Sequence, residues 1–358
     1  MNRIKLFTHT DLDGVGCAVL AYLAFGRENV DVEYCDYRDV DMKVGEFCQA
    51  GLDRNYDRIF ITDISIREET LDYILDAPDE VLLCPDVHRM KWHLFDHHVT
   101  ALWLNKYGWC EVRVNDSLSN CKTSGTAIFF KYLVDCECFI EFEPELINNV
   151  IRFVKIVRDY DTWRWKELGE EGVVCKQVND LFYIYGREEF IDWAIHGIRG
   201  DFCPNPIVNV FPLFSGVDYA VLAQRQKDID IYIEQKDKQL QVAKDLFGND
   251  FGYVFAERYF SELGNRLCEL HPEIAYVAMI DISRGAVSYR SVREDIDLGG
   301  EIAHSLGGGG HKKAAGSTFK ASEISGYLLR NVIGIGDTFE WRTQWLGEKV
   351  KKEDTSES

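Results

Sequence analysis

FTHTDLDG, residues 7–14, closes an apolar run (Ile4, Leu6, Phe7) with His9, Asp11 and Asp13, and a second apolar run follows from Gly14 to Phe25. The first run has the length and composition of a short buried strand, and the second reads as an apolar helix. The acidic cluster then falls in a strand-to-helix loop. In an open α/β sheet such loops lie at the carboxyl ends of the strands, where ligands bind. Taken alone, the stretch reads as well as an Asp-rich turn leading into a helix cap, because Asp favours both positions.

The pattern recurs. RIFITDIS (58–65) is an apolar run that delivers Asp63, and WHLFDHH (92–98) is another, ending in Asp96, His97 and His98. A fourth acidic element, VRDYDTW (157–163), follows a helical stretch over 145–157 and offers Asp159 and Asp161. Parallel strands bring their carboxyl ends to one edge, so these groups are expected to converge. Unpaired carboxylates are costly to bury, and so many of them call for cations. The pattern therefore predicts a two-metal site. Imidazole and carboxylate without thiolate suit Mn²⁺, and less selectively Mg²⁺, Fe²⁺ or Co²⁺. The 11 cysteines are scattered and form no C-x-x-C pair. That leaves structural zinc unsupported and suits a reducing, cytoplasmic setting.

Charge narrows the substrate. The 358 residues carry a formal net charge of −20. Residues 248–358 hold 13 Lys and Arg against 17 Asp and Glu, or −4, which leaves −16 on the first 247. Proteins that grip long nucleic acid carry a basic stripe, since phosphate contacts dominate that affinity. None is evident here, so a small anionic substrate is expected and long nucleic acid is not. A hydrophobic fraction of 46% with 13% aromatics excludes global disorder. The start MNRIKLFTHT lacks the apolar core of a signal peptide, and no apolar run approaches a membrane span.

The length points to two domains. Residues 1–135 alternate strand-like and helix-like segments, including a helix over 123–134, and 140–200 read as helical. DFCPNPIVNVFPLFSG (201–216) holds three of the seven prolines and reads as a domain-edge loop. Apolar positions among charges over 217–247 predict one long amphipathic linker helix. Strand-like runs resume at YVFA, AYVAMIDI and AVSYR, and the end of the chain is polar. The expected architecture is α/β. A parallel-sheet domain with a helical extension covers 1–200, and a loop and linker helix cover 201–247. A smaller α/β domain covers 248–345, followed by a disordered tail, 346–358.

The second domain has its own signal, SLGGGGHKKAAG (305–316). Gly307 to Gly310 free the backbone to approach a ligand, and a short helix after His311 would aim amides at a phosphate. No Lys-Ser/Thr pair closes the loop, so it is not a Walker loop. Ser288 and Arg290 alternate onto one strand face, and SELGNRL supplies Asn265 and Arg266. Arg290 and Arg266 are candidates for bidentate phosphate binding, with surface ion pairing as the bland alternative for each.

Together, HTDLDG, ITD, FDHH, DYDTW and GGGGHKKAAG, in that order, resemble the motifs of the DHH phosphoesterases that carry a DHH-associated C-terminal domain. SELGNRL and the DTW ending are similar to the oligoribonuclease branch of the family. The resemblance covers nearly all of the chain before its tail. It implies a catalytic domain, a substrate-gripping domain, and hydrolysis of a phosphoester with a pair of Mn²⁺ ions, Mg²⁺ and Co²⁺ being alternatives. It implies His9 and Asp11 on one ion, Asp13, His97 and Asp161 on the other, and Asp63 bridging. Asp96 would orient a neighbouring His, and His98 would face the scissile phosphate. Arg290, Gly309, Gly310 and His311, with Ser288, Asn265 and Arg266, would hold a substrate phosphate. Two points depart from the family pattern: His9 stands two residues before Asp11 where many relatives have four, and Asp159 competes with Asp161, which aligns with the family's DT pair. The implied substrate is a very short RNA, with 3′-phosphoadenosine 5′-phosphate as a related one and cyclic or linear dinucleotides as the alternative. A RecJ-like action on long single strands conflicts with the charge. A family II pyrophosphatase does not use the glycine grip, and a non-catalytic nucleotide sensor would tolerate lost ligands where none is lost here. No membrane partner is expected, and the oligomeric state is open, a homodimer included.

Overall fold

The three apolar runs with acidic ends are strands, and they are neighbours. In a computed structural model of the chain, described for residues 3–75, 91–116, 121–201, 210–320, 322, 324, 326 and 327, they form β1 (Ile4–His9), β3 (Arg58–Thr62) and β4 (Trp92–Asp96). With β2 (Val30–Cys35) and β5 (Cys110–Val112) they make a five-stranded sheet of order β2-β1-β3-β4-β5, parallel throughout. The order reverses between β1 and β3, and at such a switch point the loops of an α/β sheet part to leave a crevice. β1, β3 and β4 are buried along almost their whole length. Their continuous apolar runs reflect helices on both faces.

One face packs against α1 (Leu12–Phe25), α4 (Gly125–Asp135), α5 (Pro144–Asp161), α6 (Glu170–Tyr185) and α7 (Arg187–Arg199). The other is covered by α2 (Val40–Gln49), α3 (Glu68–Leu75) and the 3₁₀ turn Val99–Lys106. Asp11 caps α1 by accepting from the Asp13 and Gly14 amides, so the capping reading of FTHTDLDG is also correct. Beneath it, Thr62 Oγ1 donates to Thr8 Oγ1 (2.8 Å), and Thr8 Oγ1 donates to the Gly14 carbonyl (2.9 Å). These buried hydroxyls tie both central strands to the first turn of α1. The expected end of the helix before VRDYDTW falls short: α5 continues through Asp161, so both acids lie in its last turn. Arg158 bonds Asp159 there, and just past the helix end the chain turns at Trp163, whose φ is +65°.

The chain divides into two compact units, Met1–Arg225 and Gln226–Ser358. The long joining helix, α8, spans Gly216–Asp237. It ends well before the expected Phe247, because the chain turns into β6 (Gln241–Lys244), which pairs with β7 (Asp250–Phe255). The turn chemistry of DLFGN overrides the helical spacing. Asp245 Oδ1 accepts from the Phe247 and Asn249 amides, and Gly248 takes φ +89°.

The second unit is a six-stranded sheet of order β10-β11-β9-β8-β7-β6, with β8 (Val277–Asp281), β9 (Ala286–Arg290), β10 (Gly309–His311) and β11 (Ala314–Thr318). Only the β7–β8 pair is parallel, and α9 (Phe260–Leu270) makes its crossover. Leu263 and Leu267 of α9 pack with Val254, Val277 and Met279 on one sheet face. Tyr276, Tyr289, Ala315, Leu298 and Ile302 build the other. The expected short helix after His311 is instead the β10–β11 hairpin. β11 pairs along its length with β9, and Gly310 lies so close that a Cβ there would sit 2.6 Å from Ala315 Cα. Residues 202–209 of the domain-edge loop and the tail 346–358 lie outside the described residues. No helix among the described residues is long and apolar enough to cross a membrane.

Candidate metal and active site

β1 ends at His9, and the first turn of α1 brings Asp11 and Asp13 beside it. His9 Nδ1 lies 2.9 Å from Asp11 Oδ2 and 3.7 Å from Asp63 Oδ2. Asp63, one residue past β3, has φ +58°, a left-handed conformation that costs a non-glycine residue roughly 1–3 kcal/mol. Its amide donates to the Phe95 carbonyl (2.8 Å). Gly125, the first residue of α4, makes room for it: a Cβ there would lie 2.6 Å from Asp63 Cβ. The amides of Gly125 and Thr126 donate to the two oxygens of Asp13 (2.6 and 2.9 Å), so α4 presents its N-terminus to this carboxylate.

His97 follows β4, and its Nε2 faces three carboxylates: Asp63 Oδ1 at 3.2 Å, Asp161 Oδ2 at 3.6 Å and Asp13 Oδ2 at 3.7 Å. Three groups among the described residues have ligand atoms within 4.8 Å of one another: His9–Asp11–Asp63, Asp13–His97–Asp161, and Asp63–Asp96–His97–His98, in which Asp96 is taken up by the tandem histidines. Asp63 reaches the first two, one oxygen toward each. Asp161 is in this cluster and Asp159 is not. At 3.6 residues per turn, positions two apart point about 200° around the helix. Asp159 is instead buried beside Arg158 (Nη2 2.8 Å) and Arg164 (3.5 Å).

The electrostatics fit divalent cations. Burial, and then the charges of Asp13, Asp11 and Asp161, push Asp63 well above the carboxylate range. Burial, Asp13 and Asp11 do the same to Asp161. Burial works against ionised Asp11 as well, but the hydrogen bond and charge of His9 outweigh it and hold Asp11 at about 2. Burial lowers His97. Asp63 Oδ2 is buried without a hydrogen-bond partner among the described residues. A crowd of hard oxygen and imidazole donors, with one carboxylate oxygen orphaned at its centre, is what Mn²⁺ or Mg²⁺ would neutralise.

Asp96 is fully buried and organises the tandem histidines. Its Oδ1 accepts from the His97 and His98 amides (2.7 and 3.3 Å) and lies 2.7 Å from His98 Nδ1. Burial disfavours the His98 imidazolium, but the bond to Asp96 outweighs it and raises His98. His98 Nε2 meets the Tyr37 hydroxyl at 3.1 Å. Sequence reasoning missed Tyr37, a lone aromatic in an acidic turn. It missed Gly125 too, although Ser124 beside it is a recognisable helix cap.

In the second unit the strand register aligns the other candidates. Arg290 pairs with Ala314 and Ala314 with His311; Ser288 pairs with Gly316 and Gly316 with Gly309. Partners across antiparallel strands share a face. Arg290, Ser288, His311 and Gly309 therefore stand on the α9 side of the sheet, with only Ala314 and Gly316 between them. Arg290 Nη2 donates to Ser261 Oγ (3.1 Å) and Nη1 to the Tyr289 carbonyl (2.8 Å), while its Nε is buried without a partner among the described residues. Its side chain lies over Gly264, where a Cβ would come within 2.6 Å of Arg290 Cγ. Arg266 is exposed and held by Glu269 (3.0 Å), the surface pair of its bland reading, and Asn265 beside it is half-buried. Gly309 and Gly310 belong to the hairpin, so their amides do not form a helix N-terminus.

A parallel sheet with an acid-and-imidazole cluster at its switch point, followed by a second α/β unit with a Gly-Gly-His hairpin, defines a DHH-class phosphoesterase. The chain is 33% identical over 315 residues to the oligoribonuclease NrnB of Bacillus subtilis (strain 168), covering 87% of this chain and 71% of that protein. It belongs to the NrnB family of DHH hydrolases, a nuclease family. No family model matches the chain. Among solved structures it is similar to exonuclease RecJ bound to manganese (TM-score 0.50, 15% identity, 92% of this chain and 89% of that chain). It is also similar to RecJ of Thermus thermophilus in complex with Mn²⁺ (TM-score 0.52, 15% identity, 92% of this chain, 51% of that chain). These two likenesses concern the fold.

Proposed function

We propose that this protein is a two-metal phosphoesterase that degrades very short RNA, releasing mononucleotides from one end. The observation that carries the reading is Asp63, whose two oxygens face the two ligand groups from the switch point of the sheet. His9 and Asp11 would hold one divalent ion, Asp13, His97 and Asp161 the other, and Asp63 both. When bound, such ions neutralise the phosphate and acidify a water nucleophile. The chain's own residues do the rest. Asp96 fixes the ring of His98, which offers Nε2 to the scissile phosphate as charge develops on it. In the second unit Arg290 and His311, with Ser288, Gly309 and Gly310 beside them, would hold another phosphate of the substrate. Asn265 and Arg266 are the weaker members of that set, since Arg266 must leave Glu269 to take part.

Short RNA is favoured by the relationship to an oligoribonuclease and by the net charge of −20, which disfavours a long polyanionic backbone. 3′-Phosphoadenosine 5′-phosphate presents the same phosphates and is a second candidate. A nucleotide sensor is disfavoured because every ligand position is filled by a ligating residue. The test is a time course with Mn²⁺ on 5′-labelled RNAs from two to twenty nucleotides, with linear and cyclic dinucleotides in parallel. Mononucleotide release from the shortest RNAs supports the reading. Cleavage of cyclic dinucleotides alone moves the assignment to a cyclic dinucleotide phosphodiesterase, and binding without cleavage moves it to a sensor.

A further inference from the structure

The hydrogen-bonded line that starts at Asp96 does not stop at His98. Asp96 Oδ1 meets His98 Nδ1 on one side of the ring (2.7 Å), and the Tyr37 hydroxyl meets Nε2 on the other (3.1 Å). Tyr37 lies in the turn after β2. Its ring stands edge-on to His98 (5.9 Å between centroids, 87°) and packs on His9 (4.9 Å). It is half-exposed, and its ring and hydroxyl meet two histidines of the site.

We propose that Tyr37 is a positioning residue for His98, an inference that rests on the reading in which His98 meets the scissile phosphate. An imidazole anchored only through Nδ1 can still swing about that bond. A second anchor at Nε2 sets the plane of the ring and the direction of its outer nitrogen before substrate arrives. A phenol suits this task because its hydroxyl both donates and accepts, and so matches Nε2 whichever ring nitrogen carries the proton. The arriving phosphate oxygen shares Nε2 with the hydroxyl, which keeps the ring in line while charge develops. The contribution is therefore to alignment in the reacting complex and not to ground-state affinity. The ring's contact with His9 is separate and needs no hydroxyl.

Tyr37→Phe separates the two roles, since it keeps the ring and removes the hydroxyl. With a diribonucleotide and Mn²⁺, kcat should fall about tenfold, the effect of losing roughly 1.4 kcal/mol of alignment, with KM unchanged or lowered. In a double-mutant cycle, adding Tyr37→Phe to His98→Ala should cost nothing further. In the metal-free protein, ¹⁵N spectra of the imidazoles should show the His98 Nε2 resonance shifted by Tyr37→Phe, with those of His93 and His271 in place. If His98→Ala is itself harmless, the underlying reading of His98 fails. If His98→Ala is strongly impaired but Tyr37→Phe costs the same in both backgrounds, Tyr37 acts elsewhere and the proposal alone is overturned. An unmoved His98 resonance in the folded variant overturns it as well.

Discussion

At the residue scale, Asp63 concentrates the consequences. Removing its carboxylate in Asp63→Ala takes a donor from both ligand groups. Hydrolysis should drop to a few per cent of wild type or less, and bound Mn²⁺, counted by elemental analysis, should fall below that of wild type. A variant that keeps most of its rate would break the bridging assignment. Gly125→Ala attacks the same residue from outside, because the new Cβ lands 2.6 Å from Asp63 Cβ and must displace backbone or the carboxylate. Its expected signature is weakened Mn²⁺ binding in a chain that still gives the wild-type far-UV circular dichroism. Proton competition gives a third expectation. Asp63 and Asp161 are raised in the metal-free protein, so their protons must leave when a cation binds, and Mn²⁺ affinity should climb steeply with pH. A group whose folded pKa is raised contributes stability that is present at low pH and lost as pH rises through that pKa. Metal-free protein should therefore melt at lower temperature as pH rises from mildly acid to neutral, and saturating Mn²⁺ should flatten or reverse that slope. A metal-free melting temperature that rises with pH across this window would contradict the crowding of charge described here. The choice of Asp161 over Asp159 shows what the sequence holds at this scale. Two acids in one helical turn look alike as letters; the family's DT pair favours Asp161, and the direction of each around α5 agrees, with Arg158 and Arg164 beside Asp159.

Elements were legible where one local force acted alone. The buried parallel strands announced themselves as apolar runs ending in candidate ligands, and α1 as an apolar run with its own cap. Legibility failed where local chemistry competed with pattern. Charges and apolar residues at helical spacing suggested a helix to Phe247, yet an Asp-turn and Gly248 fold that stretch into a hairpin. His-Lys-Lys-Ala-Ala suggested a helix, yet pairing of β11 with β9, distant in sequence, makes it the turn of a hairpin. No local reading of the sequence contains that partner. The corrected hairpin strengthens the case for Arg290 and His311, because the register sets them on one row with a small residue between. Arg290→Ala should leave bound Mn²⁺ unchanged, raise KM for a dinucleotide and lower kcat/KM roughly ten- to a hundredfold, the loss of a charge-assisted bond of about 1.5–3 kcal/mol. Hydrolysis of bis(p-nitrophenyl) phosphate, which has no second phosphate to hold, should barely change. Equal damage to both substrates would mean that Arg290 serves folding or the metal centre.

For the whole molecule, the proposal of a short substrate rests on charge. A net charge of −20 repels a long polyanion, so kcat/KM should be highest at two to about five nucleotides and fall steeply beyond. Its dependence on salt should be shallow, because few phosphates are neutralised and few counterions released. Equal efficiency on a thirty-nucleotide strand, or a steep salt slope, would favour the long-strand reading. The parallel order of the first sheet also governs how the enzyme comes into being. Its candidate ligands run from His9 to Asp161, on four separate segments that become neighbours only when β1, β3 and β4 have paired and α5 has docked. Non-local pairings of this kind close slowly. Nothing resembling the full ligand set exists in the nascent chain, so an ion cannot template the early steps and can only trap the finished product. Dilution from denaturant should give the same refolding rate with or without Mn²⁺, while unfolding slows as the ion is added: the metal would act as a latch on the exit, and the sheet alone as the entrance.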